Sequence, residues 1–202
     1  MTRERDVAGS AGPVGEGPAL DEADRAALLG IARAALRHHL GLGRPPVIPE
    51  SGGLAAPRGA FVTLHRGAEL RGCIGRFEPE GTLARTVAAM AVAAAAEDPR
   101  FPPVGPEELD DLQVRISALT PRRPLLDPSE LRVGEHGLVV RRGWQRGTLL
   151  PVVAVERGWD APTFLKHACL KAGLPADAWR EPGTTLEVFG AEEFGDPAPE
   201  RG

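Results

Sequence analysis

The chain has 202 residues, 42% of them hydrophobic and 26% charged, with a formal net charge of -4. That balance excludes a fibrous or wholly disordered protein and leaves room for one large unit or two small ones. The acidic balance and the lack of a strongly basic tract argue against nonspecific binding to phosphate polymers.

Two further exclusions come from position. The N-terminus is charged where a signal peptide would need an apolar run, and the longest low-charge stretch, 86–96, is too short to cross a bilayer. Cys73 and Cys169 lie far apart and form no CxxC pair, which favours the reduced thiols of a cytoplasmic protein over a disulfide framework.

Residues 1–19 are rich in Gly, Pro and charge and hold no aromatic residue, which predicts a disordered tail. Residues 197–202 predict a second short tail, leaving 20–196 as the folded domain. Asp21 opens a helix in which Leu28, Ile31, Ala32, Ala35 and Leu36 recur at helical spacing, and Gly41 and Gly43 end it. Residues 43–59 read as a Pro/Gly linker.

Residues 61–64 and 69–75 predict a β-hairpin around a four-residue bend, HRGA. Thr82 then caps an apolar helix running to about Glu97, which the prolines of DPRFPPV (98–104) stop. PEELDDL predicts a helical turn, and QVRISAL (113–119) alternates as a half-buried strand. Residues 136–156 predict a second hairpin with its tip at Gly143 to Gly147. Asp160 caps a helix that ends at Gly173, and TLEVFG (185–190) closes as a last strand. Strands and helices mix without a regular βαβ rhythm, so the expected class is α+β, mixed β-sheets flanked by helices.

One stretch stands out for chemistry. In LRGCIG (70–75) a thiol sits among strand residues between two glycines, and glycine inside a strand marks a close approach of backbone or ligand. Strand alternation places Arg71, Cys73 and Gly75 on one face. A guanidinium beside a thiol favours the thiolate, and the glycines would leave the sulfur open. A nucleophile also needs a base, for which His65 and His136 are the candidates, with Glu97, Asp98 and Glu156 as acids. The competing reading is a small packed hydrophobe, and spacing alone favours it.

RRGWQRG, with Arg141, Arg142 and Arg146 around Trp144, is the one basic and aromatic cluster; a solvated hairpin tip is the favoured reading over a contact with RNA. No metal-ligand spacing, nucleophile elbow or phosphate-cradling loop is present.

GAFVTLHRGAELRGCIG, EDPRFPPV, EELDDLQVRIS, GEHGLVV, GTLLPVVAVERGWD and FLKHACLKAGLPADAW, in that order, resemble the AMMECR domain family, protein A of the AmmeMemoRadiSam system. The resemblance covers roughly residues 22–195. It implies two tightly packed subdomains with a cleft, and association with a Memo-like protein and a radical S-adenosylmethionine protein. It carries over no established reaction, and no cofactor is expected.

The family signature falls on residues 70–75, on Asp98, Arg100 and Phe101, on Gly137, Leu138 and Pro151, and on Glu156 and Trp159. The expected ligand or partner surface is therefore Gly72, Gly75, Asp98, Arg100, Phe101, Glu156 and Trp159. Where the family commonly reads LLPQVA this chain has Val152 in place of the glutamine. Two roles follow: an adaptor presenting a substrate around the LRGCIG strand, or an enzyme using Cys73 with Arg71, His65 or His136 on a small anionic substrate. An RNA-binding factor is a third, weaker reading.

Overall fold

The computed structural model describes residues 19–197. The expected tails, 1–18 of the first and 198–202 of the second, lie outside the described residues. Helix α1 (Glu22–His39) begins where Asp21 accepts a hydrogen bond from the Asp24 N–H at 2.8 Å, and its expected apolar face is the buried one. Gly41 supplies the left-handed φ of +74° just past its end.

Strands β1 (Ala60–Arg66) and β2 (Glu69–Arg76) pair as an antiparallel hairpin. Its turn is tighter than the sequence suggests. Only Gly67 and Ala68 remain unpaired, and Gly67 at φ +60° takes the first central position of a two-residue loop. The pairing slips by one residue between Leu64 and His65, leaving Arg71 as the extra residue of a bulge in β2. Thr82 caps α2 (Leu83–Ala96), accepting from the Arg85 N–H at 3.2 Å. Strand β3 (Leu112–Leu119) pairs on the other side of β1.

The chain then enters a second layer. It contains the two-residue β4 (Arg123–Pro124), the hairpin β5 (Gly137–Arg142) and β6 (Gln145–Leu149), and β7 (Thr185–Phe189). After Gly190 it returns to the first sheet as β8 (Ala191–Gly195). The two four-stranded antiparallel sheets run β2-β1-β3-β8 and β4-β7-β5-β6.

Three expectations are corrected here. The second hairpin stops at Leu149, because PVVAVE is a helix, α3 (Pro151–Glu156). Its β-branched run reads as strand, but Pro151 at the first helical position suits a helix start and cannot donate to a ladder. TLEVFG is not the last strand; β8 follows it, hidden from sequence reading because AEEFG offers a single large apolar side chain. The linker 43–59 is also more ordered than expected, with a 3₁₀ turn at Gly53–Ala55 and Leu54 and Arg58 buried. Helix α4 (Ala161–Lys171) forms as expected, capped by Asp160 and followed by Gly173 at φ +73°.

Each sheet has its own core. Val62, Leu64, Val114 and Ile116 of the first sheet pack with α1 and α2, while Leu138, Val140 and Val188 of the second pack with α4. A small aromatic cluster joins the two. Phe77 meets Phe61 edge-on at 5.1 Å and Phe189 edge-on at 6.1 Å, with Leu119 and Val139 buried beside them. A cavity of about 300 Å³ opens along this junction.

Candidate functional site

Strand β2 is an edge strand, so one side of its backbone has no neighbouring strand. The segment that stops α2 covers that edge. The Cys73 N–H donates to Asp98 Oδ2 at 2.8 Å, and Arg100 Nη2 donates to the Cys73 carbonyl at 3.5 Å. Asp98 is 4% exposed and also accepts from the Arg100 backbone N–H at 3.1 Å, from Nε at 2.9 Å and from Nη2 at 2.6 Å. The Arg100 hydrogen bonds outweigh burial, with help from the two backbone donors, and hold the Asp98 carboxyl well below the usual carboxylate range. The Arg100 guanidinium lies 5.4 Å from the centre of the Phe101 ring.

Arg71 closes the same seam further along. Its Nε and Nη2 donate to the two oxygens of Glu108 at 2.8 and 2.9 Å, Nη1 donates to the Pro102 carbonyl at 2.9 Å, and Nη2 also reaches the Pro103 carbonyl at 3.3 Å. Glu108 accepts the Gly105 N–H as well, at 3.0 Å. The Arg71 hydrogen bond comes first among the causes that bring its carboxyl down to about 2. LRGCIG and DPRFPPV, two separate stretches of the sequence, are thus each other's hydrogen-bond partners.

The chain itself occupies several of the side chains and gaps expected to face a ligand. The bulge takes Arg71 out of simple alternation, and its planar fork is occupied by Glu108 and two proline carbonyls. Gly72 is buried, and a Cβ there would collide with the Ala94 carbonyl of α2; at Gly75 a Cβ would collide with the Phe61 ring. The gaps beside Cys73 are filled by the chain itself. Cys73 remains partly exposed, and the Thr63 hydroxyl, directly across the hairpin, donates to its sulfur at 3.2 Å.

Neither histidine hydrogen-bonds Cys73 among the described residues. His65 lies two residues beyond Thr63 on β1, its pKa lowered first by burial and then by Arg115. His136, 1% exposed, sits in the second half of the fold. Its Nδ1 accepts the Arg132 N–H at 3.1 Å, and burial lowers its pKa, so it is a neutral packing residue. Glu156 is exposed at the end of α3, and Trp159 stacks flat on His167 of α4 at 4.0 Å, so neither joins the Cys73 seam.

At the RRGWQRG tip Trp144 is 93% exposed, while the arginines have acidic partners: Arg141 with Glu187, Arg142 with Glu181, and Arg146 with Glu78. Among the described residues no group of His, Cys, Asp and Glu is placed to hold a metal ion, and no helix is long and apolar enough to cross a membrane.

Sequence reasoning missed Thr63 and Glu108. Glu108 stands among Glu107, Asp110 and Asp111, and nothing local separates the partly buried one that grips Arg71 from its solvated neighbours.

Two packed antiparallel sheets with flanking helices and a sealed edge strand define an α+β protein of two subdomains. The AMMECR1 family model matches residues 29–194, and the chain belongs to that family. It is 47% identical over 177 residues to a protein of Methanothermobacter thermautotrophicus, covering 83% of this chain and 91% of the relative. It is 43% identical over 183 residues to protein MK0488 of Methanopyrus kandleri, covering 86% and 88%. The crystal structure of an uncharacterized protein from Pyrococcus horikoshii superposes with a TM-score of 0.67 at 39% identity, covering 87% of this chain and 92% of that one.

Proposed function

We propose that this chain is a cytoplasmic adaptor, component A of the AmmeMemoRadiSam system. In that role it presents a substrate or a partner's backbone to a Memo-like protein and a radical S-adenosylmethionine protein. One observation carries the reading. The polar groups flanking Cys73 are already paired within the chain, with Arg71 on Glu108 and Asp98 on Arg100 and the Cys73 N–H. A catalytic thiol needs a base that can take its proton and a charge left over for the substrate. A docking surface needs a rigid rim with exposed side chains. Arg100, whose side chain is 54% exposed, supplies one together with the partly exposed Cys73 and Phe101.

The test is affinity capture of the full chain from cells holding both expected partners, using the native protein and Cys73→Ser. Recovery of both partners by both versions, with cellular function retained in Cys73→Ser, supports the adaptor. Capture by both with function lost only in Cys73→Ser supports the enzymatic alternative. Failure to recover either partner removes the adaptor reading.

A further inference from the structure

Trp144 stands on the turn of the β5–β6 hairpin with 93% of its surface exposed, whereas Trp159 and Trp179 are half-buried. Tryptophan is highly buried on average, and here the indole fills nothing within its own chain. The turn that presents it is braced on both flanks. Arg142 pairs with Glu181, the Gln145 side-chain amide donates to the Gly173 carbonyl at 2.7 Å, and Arg146 pairs with Glu78. A tip held this way loses little freedom when it docks.

Arg146 also ties the tip to a place. Its partner Glu78 belongs to the wall of the cavity at the junction of the two sheets, so tip and cavity are neighbours. The cavity's volume of about 300 Å³ is at the small end of the range for small-molecule sites. Phe77 and Phe189 line it, with Pro57, Pro79 and Pro121 around them.

The arginines of that lining are already occupied. Arg122 pairs with Glu78 and Glu187, and Arg58 with Glu192 and the carbonyls of Leu119 and Ala118. What the wall still offers is an acceptor. Glu187 receives Arg122 and Arg141 through Oε2, and its Oε1 accepts no hydrogen bond among the described residues. An indole carries one N–H donor and no acceptor. It therefore suits an apolar wall with a carboxylate oxygen to spare, where an anion does not.

We propose that two copies of this chain pair about a two-fold axis, each placing Trp144 in the junction cavity of the other. A two-fold interface repeats every contact in both directions, and the closeness of tip to cavity lets one interface hold both insertions. Each indole buries about 150–250 Å². Two of them, with the walls they cover, put the interface at the lower end of specific protein pairs, so the dimer is a reversible one. The Cys73 seam shares no residue with this interface, and the pairing and the adaptor role can each stand without the other.

The experiment is sedimentation velocity of the full chain over a wide range of concentration. Native protein is expected to pass from monomer to dimer as concentration rises, and to stop there. Trp144→Ala should weaken dimerisation about thirtyfold or more, the scale of a buried tryptophan anchor. Its melting temperature at low concentration should stay native, because nothing in the monomer packs on that side chain. Excess N-acetyl-tryptophanamide should return the native dimer to monomer, and N-acetyl-alaninamide should not. A photo-crosslinking phenylalanine in place of Trp144 should link to the cavity wall of a second copy, at Pro57, Pro79 or Pro121. The proposal is overturned if native protein grows past the dimer, if Trp144→Ala dimerises as well as native, if the two amides compete equally, or if the crosslinks fall outside the cavity. Native protein that stays monomeric also overturns it; binding of N-acetyl-tryptophanamide to that monomer would give the cavity to a tryptophan-bearing segment of a different protein.

Discussion

Gly72 and Gly30 show how one residue type serves opposite ends. Gly72 lies under the Ala94 carbonyl, and any Cβ must push β2 and α2 apart. Overpacking against backbone costs about 1–3 kcal/mol, so Gly72→Ala should lower the denaturant midpoint clearly and with the slope unchanged. Gly30 sits exposed in α1 with open space around its Cα, and Gly30→Ala should raise stability by about 0.5–1 kcal/mol. If Gly72→Ala matches native stability, the close approach of α2 is wrong. The two thiols divide in the same way. Cys169 is fully buried in the second core and burial pushes its thiol up, whereas Cys73 is partly exposed. Iodoacetamide should label Cys73 in the folded protein and Cys169 only after unfolding; equal labelling rates in the native state would contradict that burial.

The element most in need of protection is β2, an edge strand whose outer backbone is covered by charged side chains rather than by another strand. Asp98 and Glu108, the two carboxylates that seal it, both have pKa values below the ordinary range, Glu108 at about 2. A depressed carboxylate stabilises the fold above its unfolded pKa of about 4, and that contribution is lost as pH falls through the folded value. Stability should therefore drop between about pH 4 and pH 2, and Asp98→Asn should flatten part of that slope while lowering stability at pH 7. An unchanged acid limb in thermal melts of Asp98→Asn would mean the seal contributes nothing. Helix α3 makes the contrasting case. Val152 on it is 44% exposed, so Val152→Gln, restoring the residue common in the family, should change stability by less than about 0.5 kcal/mol.

At the scale of the whole molecule, two cores are held together by few large side chains. The chain crosses between sheets at 120–122 and at Gly190, and the Phe61, Phe77 and Phe189 cluster provides the apolar bridge. Native protein should unfold in one transition seen identically by near-UV and far-UV signals. Phe77→Ala removes the central ring of the bridge and should either separate the two signals or broaden the melt. A single coincident transition with only a lowered midpoint would show that the subdomains remain one cooperative unit without it.

Local chemistry alone was enough to place α1, α2 and α4, because Asp21, Thr82 and Asp160 cap them and the apolar spacing repeats within each helix. The pairing of β1 with β2 was likewise legible, since a hairpin's partners are neighbours in the chain. LRGCIG and DPRFPPV were legible as stretches that matter, but not as partners, because hydrogen bonds between segments 25 and more residues apart leave no local trace. Strand β8 escaped for the same reason: its place in the first sheet is set by β3, more than 70 residues earlier, and not by its own composition. Arg58, Glu78 and Arg122 draw no notice in the sequence, and Arg146 only as part of the RRGWQRG tip. Only the packing of one sheet against the other brings Arg122 and Arg146 onto the same Glu78 carboxylate and buries Arg58 beside Glu192.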